Sequence, residues 1–213
     1  MVRVRPVLIV DGRVDGGDRA AVYDVCLRTG DDGTDAGPAL RESDRHLMGD
    51  VWAGPYLDIE PGTALVADDE HGVMGYVVGT GDSRRFEAAC EREWWPRLRA
   101  TNPAPEGVPH AWSLADRLRH LVHHPVLSPD DVVSTFAAHL HLNVLPRAQG
   151  RGVGPLLLAA ALDLLRGDGV PGVHVGVGPG NVRANAFWER GGFREVRVDQ
   201  EVRWLGRPVQ PTG

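Results

Sequence analysis

The 213-residue sequence contains no lysine; all 23 basic side chains are arginine. A phosphate loop ending in Gly-Lys-Ser/Thr is thereby excluded, because the ammonium that would reach the terminal phosphates is missing. Cysteine is nearly absent. Cys26 and Cys90 have neither the clustered spacing of a zinc site nor the paired framework of a disulfide scaffold, so a reduced cytoplasmic setting is expected. No apolar run approaches the roughly 18–20 residues of a membrane-spanning helix. Arg3 and Arg5 precede no secretory core, so no membrane partner is expected. Excess positive charge is also lacking: the net charge of −6 argues against nucleic acid, whose phosphates demand a basic face. What remains, 42% hydrophobic and 24% charged, is the composition of an ordinary globular protein, with a length suited to one domain.

Glycine, by contrast, is plentiful and concentrated where it matters. A strand-like run over 139–145 enters Pro146-Arg147-Ala148-Gln149-Gly150-Arg151-Gly152-Val153-Gly154, and an apolar helix over 155–165 leaves it. Glycines let backbone N–H groups converge, and the helix dipole adds about half a positive charge at the same point. The segment therefore reads as an anion site. A dinucleotide fingerprint is excluded, because counting G-x-G-x-x-G from Gly150 places Pro155 at the last glycine. The spacing that fits is Gln149-x-x-Gly152-x-Gly154.

A second pattern follows after a predicted strand over 173–177. It comprises Asn181, Ala184, Asn185, Phe187, Trp188, Gly192 and Phe193. Asn181 is a good helix N-cap. Ala184, Phe187 and Trp188 then share one face, and Gly191-Gly192 stops the helix.

The two patterns together resemble the Q/R-x-x-G-x-G/A and N-x-x-A-x-x-F-Y-x-x-x-G-F motifs of the GNAT superfamily of N-acetyltransferases. The resemblance implies an α/β GNAT fold, with a mixed, mostly antiparallel central sheet flanked by helices. It implies acetyl-CoA as co-substrate, bound by Leu142, Asn143, Val144, Gln149, Gly150, Arg151, Gly152, Val153, Gly154, Asn181, Asn185, Phe187 and Trp188. No metal is implied. Cys26 to Gly33, the stretch around Gly75 to Gly79 and that around Glu93 to Arg99 are similar to bacterial acetyltransferases related to the C-terminal acetyltransferase-like domain of O-GlcNAcases. Glycosidase activity is not implied, the hydrolase of those proteins being a separate domain.

The remaining elements are read from pattern. A first strand is expected over 3–10, then a helix over 18–28 capped by Asp18. A turn-rich loop covers 31–35, and a helical segment about 38–51. A hairpin joins 63–67 to 73–78, and a last strand covers 201–205. Between the third and fourth strands, about 81–132, lies an expected helical insertion with helices at 82–99 and 113–123. The whole of 1–213 is expected to form one domain, with Trp94-Trp95 offering an apolar surface for a possible homodimer.

The reaction implied is direct attack of an amine, on a small molecule or a protein, on the thioester. The oxyanion donor is expected on the backbone around Leu142 to Val144. On the strand His139, His141 and Asn143 share one face, which makes His139 and His141 candidate bases. Asp31 and Asp32 are further candidates, or could attract a cationic acceptor. The usual tyrosine acid is replaced by Trp188, whose indole cannot release its proton. The tyrosines available elsewhere are Tyr23, Tyr56 and Tyr76. Hence the alternative of an acetyl-CoA-binding sensor or interaction domain without catalysis. His120, His123 and His124 have metal-like spacing without a supporting carboxylate or cysteine, so no metal is expected there.

Overall fold

Asp11 and Gly12 both adopt positive φ, 49° and 75°, and this pair decides how the chain begins. Two consecutive left-handed residues make the tight turn of a two-residue hairpin. The expected strand over 3–10 therefore breaks into β1 (Arg3–Pro6) and a hairpin of β2 (Ile9–Val10) and β3 (Arg13–Val14). The computed structural model describes residues 1–199 and 202–209. Glu201 and hence the start of the predicted last strand lie outside them.

Helix α1 (Gly16–Leu27) is capped by Asp15, whose carboxylate accepts the N–H groups of Gly17 and Asp18. Asp18 was the expected cap; it lies inside the first turn instead. There it is buried, accepting two hydrogen bonds from Arg5 at 2.6 and 2.8 Å and one from the Leu8 N–H at 2.7 Å. The Arg5 guanidinium holds the Asp18 carboxyl below its ordinary value, against the cost of burial. The helical segment expected at about 38–51 is two 3-10 turns, Gly37–Ala39 and Glu42–Asp44, followed by α2 (His46–Trp52).

Next come α3 (Gly54–Ile59) and the antiparallel pair β4 (Leu65–Asp69) and β5 (Gly72–Thr80). Helix α4 (Ser83–Ala89) continues through a π-helical stretch, Cys90–Trp94, into α5 (Trp95–Thr101). The π turn ends two residues before Pro96, which has no N–H to give to an α-helical bond. Helix α6 (Leu114–His123) starts with a reciprocal capping box between Ser113 and Asp116, and α7 (Asp130–Val133) follows. Trp94 and Trp95 are buried among these helices, so they do not provide the apolar surface expected for a dimer.

The last third comprises β6 (Ala138–Val144), α8 (Val153–Gly167), β7 (Gly172–Val177), α9 (Val182–Arg190), β8 (Arg194–Val198) and β9 (Arg203–Pro208). Seven strands form one sheet in the order β1-β4-β5-β6-β7-β9-β8. Every neighbouring pair is antiparallel except β6 and β7. Alternation along the strands feeds two cores. Val66, Tyr76 and Val78 join α1 to α6 on one face, while Leu65, Ala67, Met74 and Val77 join α8 and α9 on the other. The site lies where β6 and β7 meet.

Candidate active site

Strands β6 and β7 pair at only two positions, Ala138 with Val173 and His139 with His174. Beyond His139 they part, while β6 stays paired to β5 as far as Val144. The phase of that ladder is set by the Leu145 N–H, which donates to the Met74 carbonyl at 2.8 Å. Antiparallel pairs alternate between bonded and non-bonded. Residues 139, 141 and 143 thus bond to β5, and the peptide groups of Leu142 and Val144 turn into the fork. Among the described residues their N–H groups find no backbone acceptor. The Val144 carbonyl there is taken by the Gln149 side-chain amide at 2.8 Å.

The glycine turn closes the end of the fork. Gly150 and Gly152 have φ of 72° and 81°, which an L side chain rarely adopts. A Cβ on either would meet nothing within 4 Å, so the face of the turn is open. Gly154 is required for another reason: its Cβ would lie 3.0 Å from the Phe187 ring, so α8 and α9 touch there. Among the described residues, the N–H groups of Gly150, Gly152, Val153 and Gly154 have no hydrogen-bond acceptor. Pro155 contributes none, at a position where a helix would leave it unused. Four donors without acceptors and the N-terminus of α8 thus lie together beside open space, which fits a pyrophosphate. Arg151 is exposed beside them. Arg183 spans this region, donating to the Gln149 side-chain oxygen at 2.6 Å and to the Gly33 carbonyl at 3.3 Å.

Several predicted binding residues have structural duties. Asn181 caps α9, accepting the Ala184 N–H at 3.0 Å. Asn185 is buried; it donates to the carbonyls of Gly178 and Asn181 and accepts from Arg203. Its hydrogen-bonding capacity is spent on shaping the β7–α9 loop. Asn143 donates to the Thr29 hydroxyl at 2.6 Å, tying the strand to the end of α1. Trp188 is packed edge-on between Phe187 and Phe193 in the core, so its indole does not line the cavity. Apolar contact draws the ring inward.

On the opposite side of the fork lies a cavity of about 1440 Å³. Its wall near the fork is aromatic: Trp52, Tyr56, Phe86, His139, His141 and Trp204, with Gly176 and Gly178 from β7. The two predicted histidines are therefore brought together, with ring centroids 6.0 Å apart. His139 is buried. Its Nε2 lies 2.7 Å from the Tyr56 hydroxyl and its Nδ1 2.7 Å from the Ser83 hydroxyl. His141 is half-buried against Trp52 and Tyr56, with centroids at 5.8 and 5.5 Å. Burial pushes the His141 imidazole down to about 4, and His139 and His174 below the ordinary histidine value. All three are neutral at pH 7. Burial drives the Tyr56 phenol well above its usual value, so it is un-ionised.

Asp31 and Asp32 are exposed on the turn after α1, where Asp32 has φ of 47°. Asp32 reaches Gly178 at the cavity rim, a Cβ on which would lie 3.6 Å from its carboxylate. They border the fork without joining the histidines. Among the described residues no three His, Cys, Asp or Glu side chains converge to hold a metal. The sequence offers Tyr56 as one of three tyrosines that could replace the missing acid, and Phe86 only as a residue of the insertion helix; it does not single out Ser83 or His174. His174 had a signal: it sits in β7 at the register of His139. Ser83 had none, because helix and strand meet there only in the folded chain.

The profile of the family described as Acetyltransferase (GNAT) family matches residues 35–193. The chain is 26% identical over 197 residues to protein O-GlcNAcase of Rattus norvegicus, covering 90% of this chain and 21% of that protein. It thus spans about a fifth of the length of that curated relative. Among solved structures, SsHAT is 36% identical, covers 98% of each chain and superposes with a TM-score of 0.86. The PaiA N-acetyltransferase of Thermoplasma acidophilum, solved in complex with coenzyme A, shares the fold at 11% identity and a TM-score of 0.55, over 98% of this chain and 99% of that one. No helix among the described residues is long and apolar enough to cross a membrane.

Proposed function

The chain belongs to the GNAT acetyltransferase family, and on that premise we propose that it transfers the acetyl group of acetyl-CoA to an amine held in the aromatic cavity. One observation carries the proposal: the fork between β6 and β7 opens on one side to the glycine turn and on the other to the cavity. A thioester laid along the fork meets donors where it needs them. The N–H groups of Gly150, Gly152, Val153 and Gly154 hold the pyrophosphate. The Leu142 N–H donates to the thioester oxygen as it becomes an oxyanion, a role worth about 10²–10³ in rate where one donor can be removed. The Val144 N–H is left to bond the pantetheine arm. The amine comes from the cavity side, past His141 and Tyr56.

The coenzyme A in the PaiA structure supports this ligand chemistry. Trp188 favours a second reading, in which the domain binds acetyl-CoA without transferring from it. The usual acid position offers only an indole, and that indole is buried. Thiol release across a mixed panel of amines, run alongside calorimetric acetyl-CoA binding, separates the two. Release with at least one amine supports transfer. Binding without release from any amine supports the second reading, and failure to bind acetyl-CoA removes both.

A further inference from the structure

The buried group His139 sits at the last β6–β7 pair, where the fork begins, and its hydrogen bonds have a direction. Ser83 has a single hydroxyl proton, and its oxygen lies 2.7 Å from the Ala137 carbonyl, which can only accept. The proton points there, leaving a lone pair towards His139 Nδ1 at 2.7 Å. Nδ1 therefore carries the imidazole proton, and Nε2 accepts from the Tyr56 hydroxyl at 2.7 Å. The Tyr56 ring is stacked on Phe86 with centroids 4.4 Å apart and planes 16° apart, so the hydroxyl is aimed. Tyr56 and His139 both line the cavity. His141 makes no hydrogen bond among the described residues, so no partner sets its tautomer.

Resting on the acetyl-transfer reading, we propose that Tyr56, His139 and Ser83 form the proton shuttle of the reaction, with Tyr56 as the catalytic residue that meets the amine. The arrangement is that of a hydroxyl, a base and an orienting group in series. As the amine nitrogen bonds to the thioester carbon, its proton passes to the Tyr56 oxygen while the Tyr56 proton passes to His139 Nε2. The carbonyl electron pair moves onto oxygen. When the tetrahedral centre collapses, the C–S bond breaks and the imidazolium returns the proton through Tyr56 to the thiolate. One proton thus travels from nitrogen to sulfur, and no free phenolate is needed. Ser83 is a positioning residue: it holds Nδ1–H and keeps Nε2 free to accept. The shuttle accounts for both proton transfers without the tyrosine that Trp188 replaces.

The test uses the full chain with acetyl-CoA and any amine from the panel. Tyr56→Phe keeps the ring stack and removes only the hydroxyl. Turnover should fall by ~100-fold or more, the usual range for a general acid–base group, while acetyl-CoA affinity holds and the melting temperature drops by no more than the loss of one buried hydrogen bond accounts for. Ser83→Ala should lower kcat by a smaller factor without raising the KM for amine. It should also relax His139 from the Nδ1–H tautomer, which 15N side-chain NMR reads directly. Unchanged turnover in Tyr56→Phe, or an Nε2–H tautomer in the wild type, overturns the shuttle alone. Wild-type protein that binds acetyl-CoA yet releases no thiol with any amine overturns the transfer reading and the shuttle with it.

Discussion

On the acetyl-transfer reading proposed above, the two sides of the fork recognise their ligands by different means. On the cofactor side the contacts are backbone N–H groups from one stretch of chain, residues 142–154, braced by α9. On the cavity side they are side chains gathered from six elements: Trp52, Tyr56, Phe86, His139, His174 and Trp204 come from α2, α3, α4, β6, β7 and β9. Backbone recognition needs a fixed spacing and particular dihedrals, so it constrains sequence tightly and locally. Side-chain recognition needs only that groups arrive in one place. One side can therefore stay constant in chemistry while the other is free to take a different acceptor.

Three substitutions or conditions probe that contrast. The largest effect is expected from Gly152→Glu. It sets a carboxylate in the open face of the turn, at a φ of 81° that costs about 1–2 kcal/mol for an L residue. Acetyl-CoA affinity should fall at least ~100-fold by calorimetry, about 2.8 kcal/mol, with the cavity side untouched. Undiminished affinity would remove the backbone account of the cofactor site.

Next is acid sensitivity on the cavity side. The His141 pKa is pushed from 6.5 to about 4, and His139 and His174 shift in the same direction. The unfolded chain binds these protons as pH falls through about 6.5, whereas in the folded chain His141 does not until near 4, and His139 and His174 bind theirs only at lower pH than in the unfolded chain. Stability is therefore complete above pH 6.5 and declines between 6.5 and 4, by about 3 kcal/mol for His141. Urea melts across that range should flatten in His141→Gln. A slope unaltered by the substitution would mean that the cavity does not hold this ring neutral.

The smallest effect is expected from Asn185→Ala, about 1 kcal/mol of stability for the side-chain hydrogen bonds lost to the Gly178 and Asn181 carbonyls, each of which keeps a backbone donor. Acetyl-CoA affinity should hold. Lost affinity at an unchanged melting temperature would move Asn185 back among the cofactor contacts.

The same contrast explains what could be read before folding. The glycine turn, Asn181 as cap and the alternation of His139, His141 and Asn143 were legible because each depends on neighbours within a few positions. The break between Pro6 and Ile9 was equally local, yet the apolar run from Val7 to Val10 across it hid it. Asp18 was mistaken for a cap because its partner, Arg5, lies on another element and draws it into a buried pair. The bonds that Asn185 makes to Gly178 and Arg203 were not legible, because a motif position says nothing about which way an amide turns. Tyr56 and His139 are 83 positions apart and Ser83 and His139 are 56 apart. No periodicity spans such distances, and only packing of α3 and α4 on the sheet brings these groups together.

The two-rung contact between β6 and β7 has a mechanical meaning as well. It divides the sheet into a raft of four strands, β1-β4-β5-β6, and a raft of three, β7-β9-β8. Helix α8 lies against the first raft. The helices themselves meet where Gly154 faces the Phe187 ring and where a Cβ on Gly191 would lie 2.8 Å from Leu158. The rafts are thus riveted at the strand pair and again at this helical seam. The width of the gap between Leu142 and β7 is then a property of the seam as much as of the sheet. A bulkier residue at Gly154 or Gly191 would act as a shim, resetting that width from outside the site.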